Sequence, residues 1–70
     1  MDDDLKIIID AANWRAGELE WQASNPHSVL AAGTSNQAVR AWCAGQRQAA
    51  TAIRSAVLRV EARESTGGES

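Results

Sequence analysis

Apolar side chains recur along the first third of the chain with the period of a helix. With each residue advancing roughly 100° about the axis, Leu5, Ile8, Ile9, Ala12, Ala16, Leu19 and Ala23 fall in one stripe about 100° wide. No proline interrupts the stretch before Ala23, and Gly17 is its one weak point, so the pattern predicts a first long helix. Asp2, Asp3 and Asp4 suit its start, where carboxylates meet unpaired N–H groups and the positive end of the helix dipole. A second apolar set, Ile7, Ala11, Trp14 and Trp21, lies nearly opposite the first, because a seven-residue step returns to within about 20° of its origin. The first helix is thus apolar on two sides.

The pattern then changes. In SNPHSVLAAG, Asn25 reads as a cap, Pro26 as a first helical residue and Gly33 as a stop, which predicts one or two helical turns in the connector. TSNQ follows, with Thr34 three residues before Gln37 in the spacing of a capping box, and predicts a second long helix from near Ser35. On it Ala38, Val39, Trp42, Ala49, Ile53, Ala56, Val57 and Val60 share a face, with Arg40, Arg47 and Arg54 in a row beside it; Gly45 is a second weak point. After Glu64 the composition turns to STGGES, so residues 65–70 are expected to form a disordered tail beyond a 1–64 domain. No stretch alternates like a strand. The expected fold is all-α, a two-helix antiparallel hairpin with a short helical connector.

Length decides how such a hairpin is stabilised. Seventy residues bury little of their unfolded surface, and small domains of this kind lean on disulfides, metals or a partner. Cys43 is the single cysteine and His27 the single histidine, so neither an internal bridge nor a zinc site is expected, and no cofactor either. Cys43 reads as a small packed side chain, with a bridge between two chains as the alternative; His27 reads as a surface turn residue. Association is the remaining route, and two hairpins combining into a homodimeric helical bundle is the expectation. Its dimer and core residues would be Leu5, Ile8, Ala12, Leu19, Val39, Trp42, Ala49, Ile53 and Val57.

Charge narrows the partners. The net charge of −2 argues against general affinity for nucleic acid or anionic lipid, which rests on a basic surface. The halves differ: residues 1–24 hold six acids against Lys6 and Arg15, giving −4, while residues 25–70 hold five arginines against three glutamates, giving +2. The arginine row is expected to pair with acids of the first helix, Asp10 and Glu18 being the candidates. The longest apolar run is Ile7-Ile8-Ile9 and the start is acidic, so neither a membrane span nor a secretory signal is expected. No nucleophile elbow, phosphate loop or carboxylate pair with its base stands in the sequence, and no catalysis is expected.

Three stretches carry a family resemblance: DLKIIID at 4–10, SNQAVRAW at 35–42 and AVLRVEAR at 56–63. Together they are similar to the small helical proteins of Pseudomonas phages that act as quorum-sensing anti-activators and twitching inhibitors. The resemblance spans about residues 4 to 63 and implies a two-helix chain that dimerises in the host cytoplasm. It also implies binding of a LuxR-type transcriptional regulator, the type IV pilus assembly ATPase, or both, as an inhibitor. Trp14, Trp21, Gly17, Gly45 and Cys43 have no counterpart in that pattern, so the spacing alone speaks for them. It leaves two uses for the indoles, burial in the chain or its dimer, or anchorage of a different protein. In the second, Trp14 and Trp21 bind the partner and Arg15, Glu18 and Arg47 orient it. Two alternatives remain from other classes. One is a dimeric DNA-binding regulator using Arg40, Arg47 and Arg54; the other is an anti-CRISPR-like inhibitor whose Asp2, Asp3, Asp4 and Asp10 stand in for phosphates.

Overall fold

In the computed structural model, which describes residues 3–67, two helices account for most of the chain. Helix α1 spans Asp3–Ser24 and α2 spans Asn36–Gly67. Asp3 and Asp4 occupy the first turn of α1, where the sequence places helix-starting carboxylates; Asp2, expected to join them, lies outside the described residues. Among those residues no strand occurs, and no helix is long and apolar enough to cross a membrane.

The connector reverses the chain with local hydrogen bonds. A 3-10 turn, Pro26–Ser28, starts on proline as expected, with the Val29 and Leu30 N–H groups both bonded to the Pro26 carbonyl, at 3.1 and 2.8 Å. Asn25 precedes it but does not cap it through its side chain. Its amide instead donates 2.9 Å back to the Trp21 carbonyl, satisfying one of the open acceptors at the C-terminal end of α1. Gly33 takes φ +90°, a conformation that residues with a Cβ rarely adopt, and this lets the chain turn into α2.

The start of α2 departs from the expected capping box. Ser35, not Thr34, is the cap: its hydroxyl accepts from the Ala38 N–H at 3.2 Å, and its carbonyl accepts the first helical bond, from Val39 at 2.9 Å. The Thr34 hydroxyl is engaged backwards, donating 2.7 Å to the Ala31 carbonyl, and is therefore spent on the turn. At its other end α2 continues to Gly67, so the boundary placed after Glu64 is no break in the helix. No proline stands there to stop propagation, and each further residue adds a bond to an existing helix. The remainder of the expected tail, 68–70, lies outside the described residues.

The helices pack antiparallel along one narrow seam. Ile9, Ala16 and Ala23 are buried on α1 at seven-residue intervals, joined by Leu19; Cys43, Ala50 and Val57 are buried at the same interval on α2. Repetition every seven residues keeps the seam facing its partner along the whole pair. Ala16, Leu19 and Ala50 form its centre, with Ala49 and Ile53 packed against them. Small side chains at Ala16 and Ala50 let the two backbones approach, and they also limit how much apolar surface the seam can hide. The result is a rod of 56 × 18 × 12 Å.

This seam corrects the face expected for α2. Val39, Trp42, Ala49 and Ile53 are half-buried and Ala56 is exposed, whereas Ala50, absent from the expected face, is almost fully buried. The true centre of contact is rotated toward Cys43 and Ala50. On α1, Leu19 sits in the core as expected, while Leu5 and Ala12 are half-buried at its margin; Ile8 is 64% exposed and belongs to no core within the chain.

Candidate interaction surfaces

Two rows flank the seam, and they differ in chemistry. On one side stands Glu20, to which Arg54 donates twice, Nε to Oε2 at 3.2 Å and Nη2 to Oε1 at 2.6 Å. That pair places the Arg40, Arg47 and Arg54 row beside α1, as the sequence suggests, but with Glu20 as the partner instead of Asp10 or Glu18. Glu18 is taken by its own helix, bonded to Arg15 at 3.1 Å. The Arg54 hydrogen bond and charge hold the Glu20 carboxyl below its ordinary value, and the same contact raises Arg54. Among the described residues Arg40 and Arg47 make no ion pair.

The other side is apolar. An open groove of about 320 Å³ runs between the N-terminal half of α1 and the C-terminal half of α2, lined by Leu5, Ile8, Ile9, Ala12, Ile53, Ala56, Val57 and Val60. Every lining residue is a hydrocarbon. Nearer the connector, Gln46 donates to Gln22 at 2.7 Å, a half-buried amide pair between the helices. Beneath the connector lies a smaller cleft bounded by His27, Leu30, Gly33 and Val39, with His27 itself exposed as expected of a turn residue.

Away from both sides, on the surface of α1 that points from α2, stand the indoles. Trp14 is 72% exposed and Trp21 55%, and Ile7 continues their line at 65%. Three residues at seven-residue steps make a ridge about 21 Å long. Asp3 and Asp10 border it on one side, Asp4 and Glu18 on the other, all on the same helix. Arg15, bonded to Glu18, stands next to Trp14 in sequence. Arg47 is elsewhere: it is exposed on α2, in the row of Arg54. Of the five residues assigned by sequence to partner binding, Trp14, Glu18 and Trp21 share one surface of α1, Arg15 reaches Glu18 from about 100° round the helix, and Arg47 belongs to the polar flank of the other helix.

The two helices also differ in charge. Within α1, Asp3, Asp4, Asp10, Glu18 and Glu20 oppose Lys6 and Arg15, giving −3; within α2, Arg40, Arg47, Arg54, Arg59 and Arg63 oppose Glu61 and Glu64, giving +3. Sequence reasoning found this polarity, since the acids and bases segregate along the chain. It placed Ile7 in the second apolar stripe but left it out of the partner-binding residues, and it missed Glu20 as an acid that ties the helices. The seven-residue step from Ile7 to Trp14 was the signal for the first, whereas the arginine row announces an acidic neighbour without saying which acid of α1 it meets. Comparison with known proteins found no matching family model, curated protein or solved structure.

Proposed function

We propose that the chain is a small inhibitory protein that binds a host protein through the Ile7, Trp14 and Trp21 ridge and blocks the surface it covers. The observation that carries this reading is the exposure of two tryptophans, 72% and 55%, on a helix whose packing seam is satisfied elsewhere. Tryptophan is costly to leave in water and is favoured where binding energy concentrates, so a ridge of this kind fits a docking surface better than it fits an idle face. The carboxylates beside it, with the Arg15 and Glu18 pair, supply orientation and favour a target whose groove is rimmed with basic residues. Arg47 is not part of this surface. The protein acts by occupancy, with no chemistry of its own.

The family resemblance supplies the candidates for the target: a LuxR-type quorum-sensing regulator, the type IV pilus assembly ATPase, or both, met in the cytoplasm of an infected bacterium. The test is direct titration of the purified chain against each. A one-site isotherm with at least one of them, together with loss of DNA binding by the regulator or of ATP turnover by the ATPase, is the expected result. The absence of binding to both at high micromolar concentration would remove these targets. Binding that survives Trp14→Ala with Trp21→Ala would remove the ridge.

A further inference from the structure

We infer that the target presents an α-helix to the ridge, one that lies lengthwise along α1 and sets two basic side chains against Asp3 and Asp10 and a bulky apolar one over Gly17. The inference rests on the docking role proposed for Ile7, Trp14 and Trp21, and it concerns the kind of partner that fits them. Beside the ridge, about 40° round the helix, runs a second row at the same seven-residue interval: Asp3, Asp10 and Gly17. Each row is about 21 Å long. Helix α1 meets α2 in the same way, since Ile9, Ala16 and Ala23 hold a seven-residue seam against it. The ridge and its neighbouring row repeat that arrangement on the surface that α2 leaves open.

Spacing selects a helix as the occupant. Successive members of the ridge stand about 10.5 Å apart along the axis, the rise of seven helical residues. A partner helix with the same repeat meets each of them with the same face. An extended strand returns to one face about every 6.6 Å and falls out of step within one interval. Charge then selects which helix. Asp3 and Asp10 are exposed and make no ion pair among the described residues. Two such carboxylates, about 10.5 Å apart, match cations carried at the same spacing.

Gly17 completes the pattern. A glycine inside a helix weakens it relative to alanine, and nothing in the hairpin calls for one here, because a Cβ built at Gly17 meets no atom within 4 Å. Its use therefore lies outside the hairpin. Trp14 stands three residues before it and Trp21 four after, so the missing side chain leaves a notch between neighbouring indoles. A bulky apolar side chain of the incoming helix fills that notch and packs on the backbone of α1. The partner helix thus carries a basic, a basic and a bulky residue at steps of seven, in that order or the reverse according to its direction.

The probe is a synthetic helical peptide with two lysines seven apart and a phenylalanine seven further, on a leucine-lined face, made in both orders and titrated against the full chain by calorimetry. One order is expected to bind with a Kd below about 50 μM. Asp10→Lys and Gly17→Leu, both at open positions of α1, are each expected to weaken it at least about tenfold. Exchanging the peptide's lysines for glutamate should restore binding to the first variant, and exchanging its phenylalanine for alanine should restore it to the second. Should either variant lose its helical signal, the glutamate peptide against the unaltered chain decides: a loss of at least about tenfold supports the inference, and equal affinity overturns it. Failure of both orders to bind at about 500 μM overturns it too. Affinity that ignores these exchanges but falls with Trp14→Ala and Trp21→Ala overturns it and leaves the docking role of the ridge standing, whereas affinity untouched by the tryptophan pair overturns both. A mass of twice 7.5 kDa in light scattering that halves when the indoles are replaced makes a second copy the occupant, and overturns it as well.

Discussion

Arg54 grips Glu20 across 34 residues of sequence with two nitrogens, at 3.2 and 2.6 Å, in an ion pair that joins α1 to α2. Both side chains are close to half exposed, so solvent and salt weaken the contact and its part in stability is small. Its geometry matters more for register, since it fixes which flank of each helix shares a side. The sign of its pH dependence follows from Glu20, whose folded value lies below the ordinary carboxylate value of 4.5. The contribution is complete above that ordinary value and disappears as pH falls through the lower, folded one. Glu20→Gln should therefore lower the urea midpoint slightly at pH 7, and the gap between variant and parent should close by pH 2. A gap that persists in acid would mean that Glu20 acts through something other than its charge.

Gln22 and Gln46 form another polar link between the helices, 2.7 Å apart and half-buried. Removing one partner leaves the other, half-buried amide to incomplete hydration, so Gln46→Ala should cost about 1 kcal/mol. Replacing both by leucine should recover most of that loss, because the desolvation penalty goes with the amides. A double-variant cycle in urea measures the coupling, and additive losses would contradict the pair.

Ala50 tests the position of the seam. As it is almost fully buried against Ala16 and Leu19, Ala50→Leu should destabilise by about 1 to 3 kcal/mol through overpacking. Ala44→Leu, on an exposed face of the same helix, should stay within about 0.5 kcal/mol. Equal effects at the two sites would place the seam elsewhere.

The glycines separate into two kinds. A Cβ added at Gly17 meets nothing within 4 Å, and the helical backbone there suits any residue, so Gly17→Ala should stabilise by about 0.5 to 1 kcal/mol. Gly33→Ala has open space too, yet must adopt φ +90°, and it should destabilise by about 1 kcal/mol or more. Thermal midpoints read both, and a stabilising Gly33→Ala would contradict the turn.

Much of the hairpin was legible in the sequence. The reach of α1, the proline-initiated turn and the place where α2 begins follow from local signals, although the capping hydroxyl of α2 is that of Ser35 and not of Thr34. The rotation of α2 could not be read from hydrophobicity, because alanines stand on neighbouring rows at Ala49, Ala50 and Ala56, and Trp42 draws the apparent face toward itself. Ala50 is buried by its contact with Ala16 and Leu19, a property that belongs to the pair of helices. Glu20 was missed for a similar reason, since which acid meets Arg54 depends on interhelical register. The ridge was visible as spacing, but whether it was buried depended on where α2 lies.

The claim at the centre of this account is that Trp14 and Trp21 serve a partner and not the fold. Joint replacement of both by alanine, followed in one preparation by urea denaturation and by titration with whichever candidate target the parent chain binds, tests it most directly. The predicted result is a helical signal and unfolding free energy within about 0.5 kcal/mol of the parent, with affinity for the target reduced at least about tenfold. Loss of the folded state, or unchanged affinity in a folded chain, would contradict it.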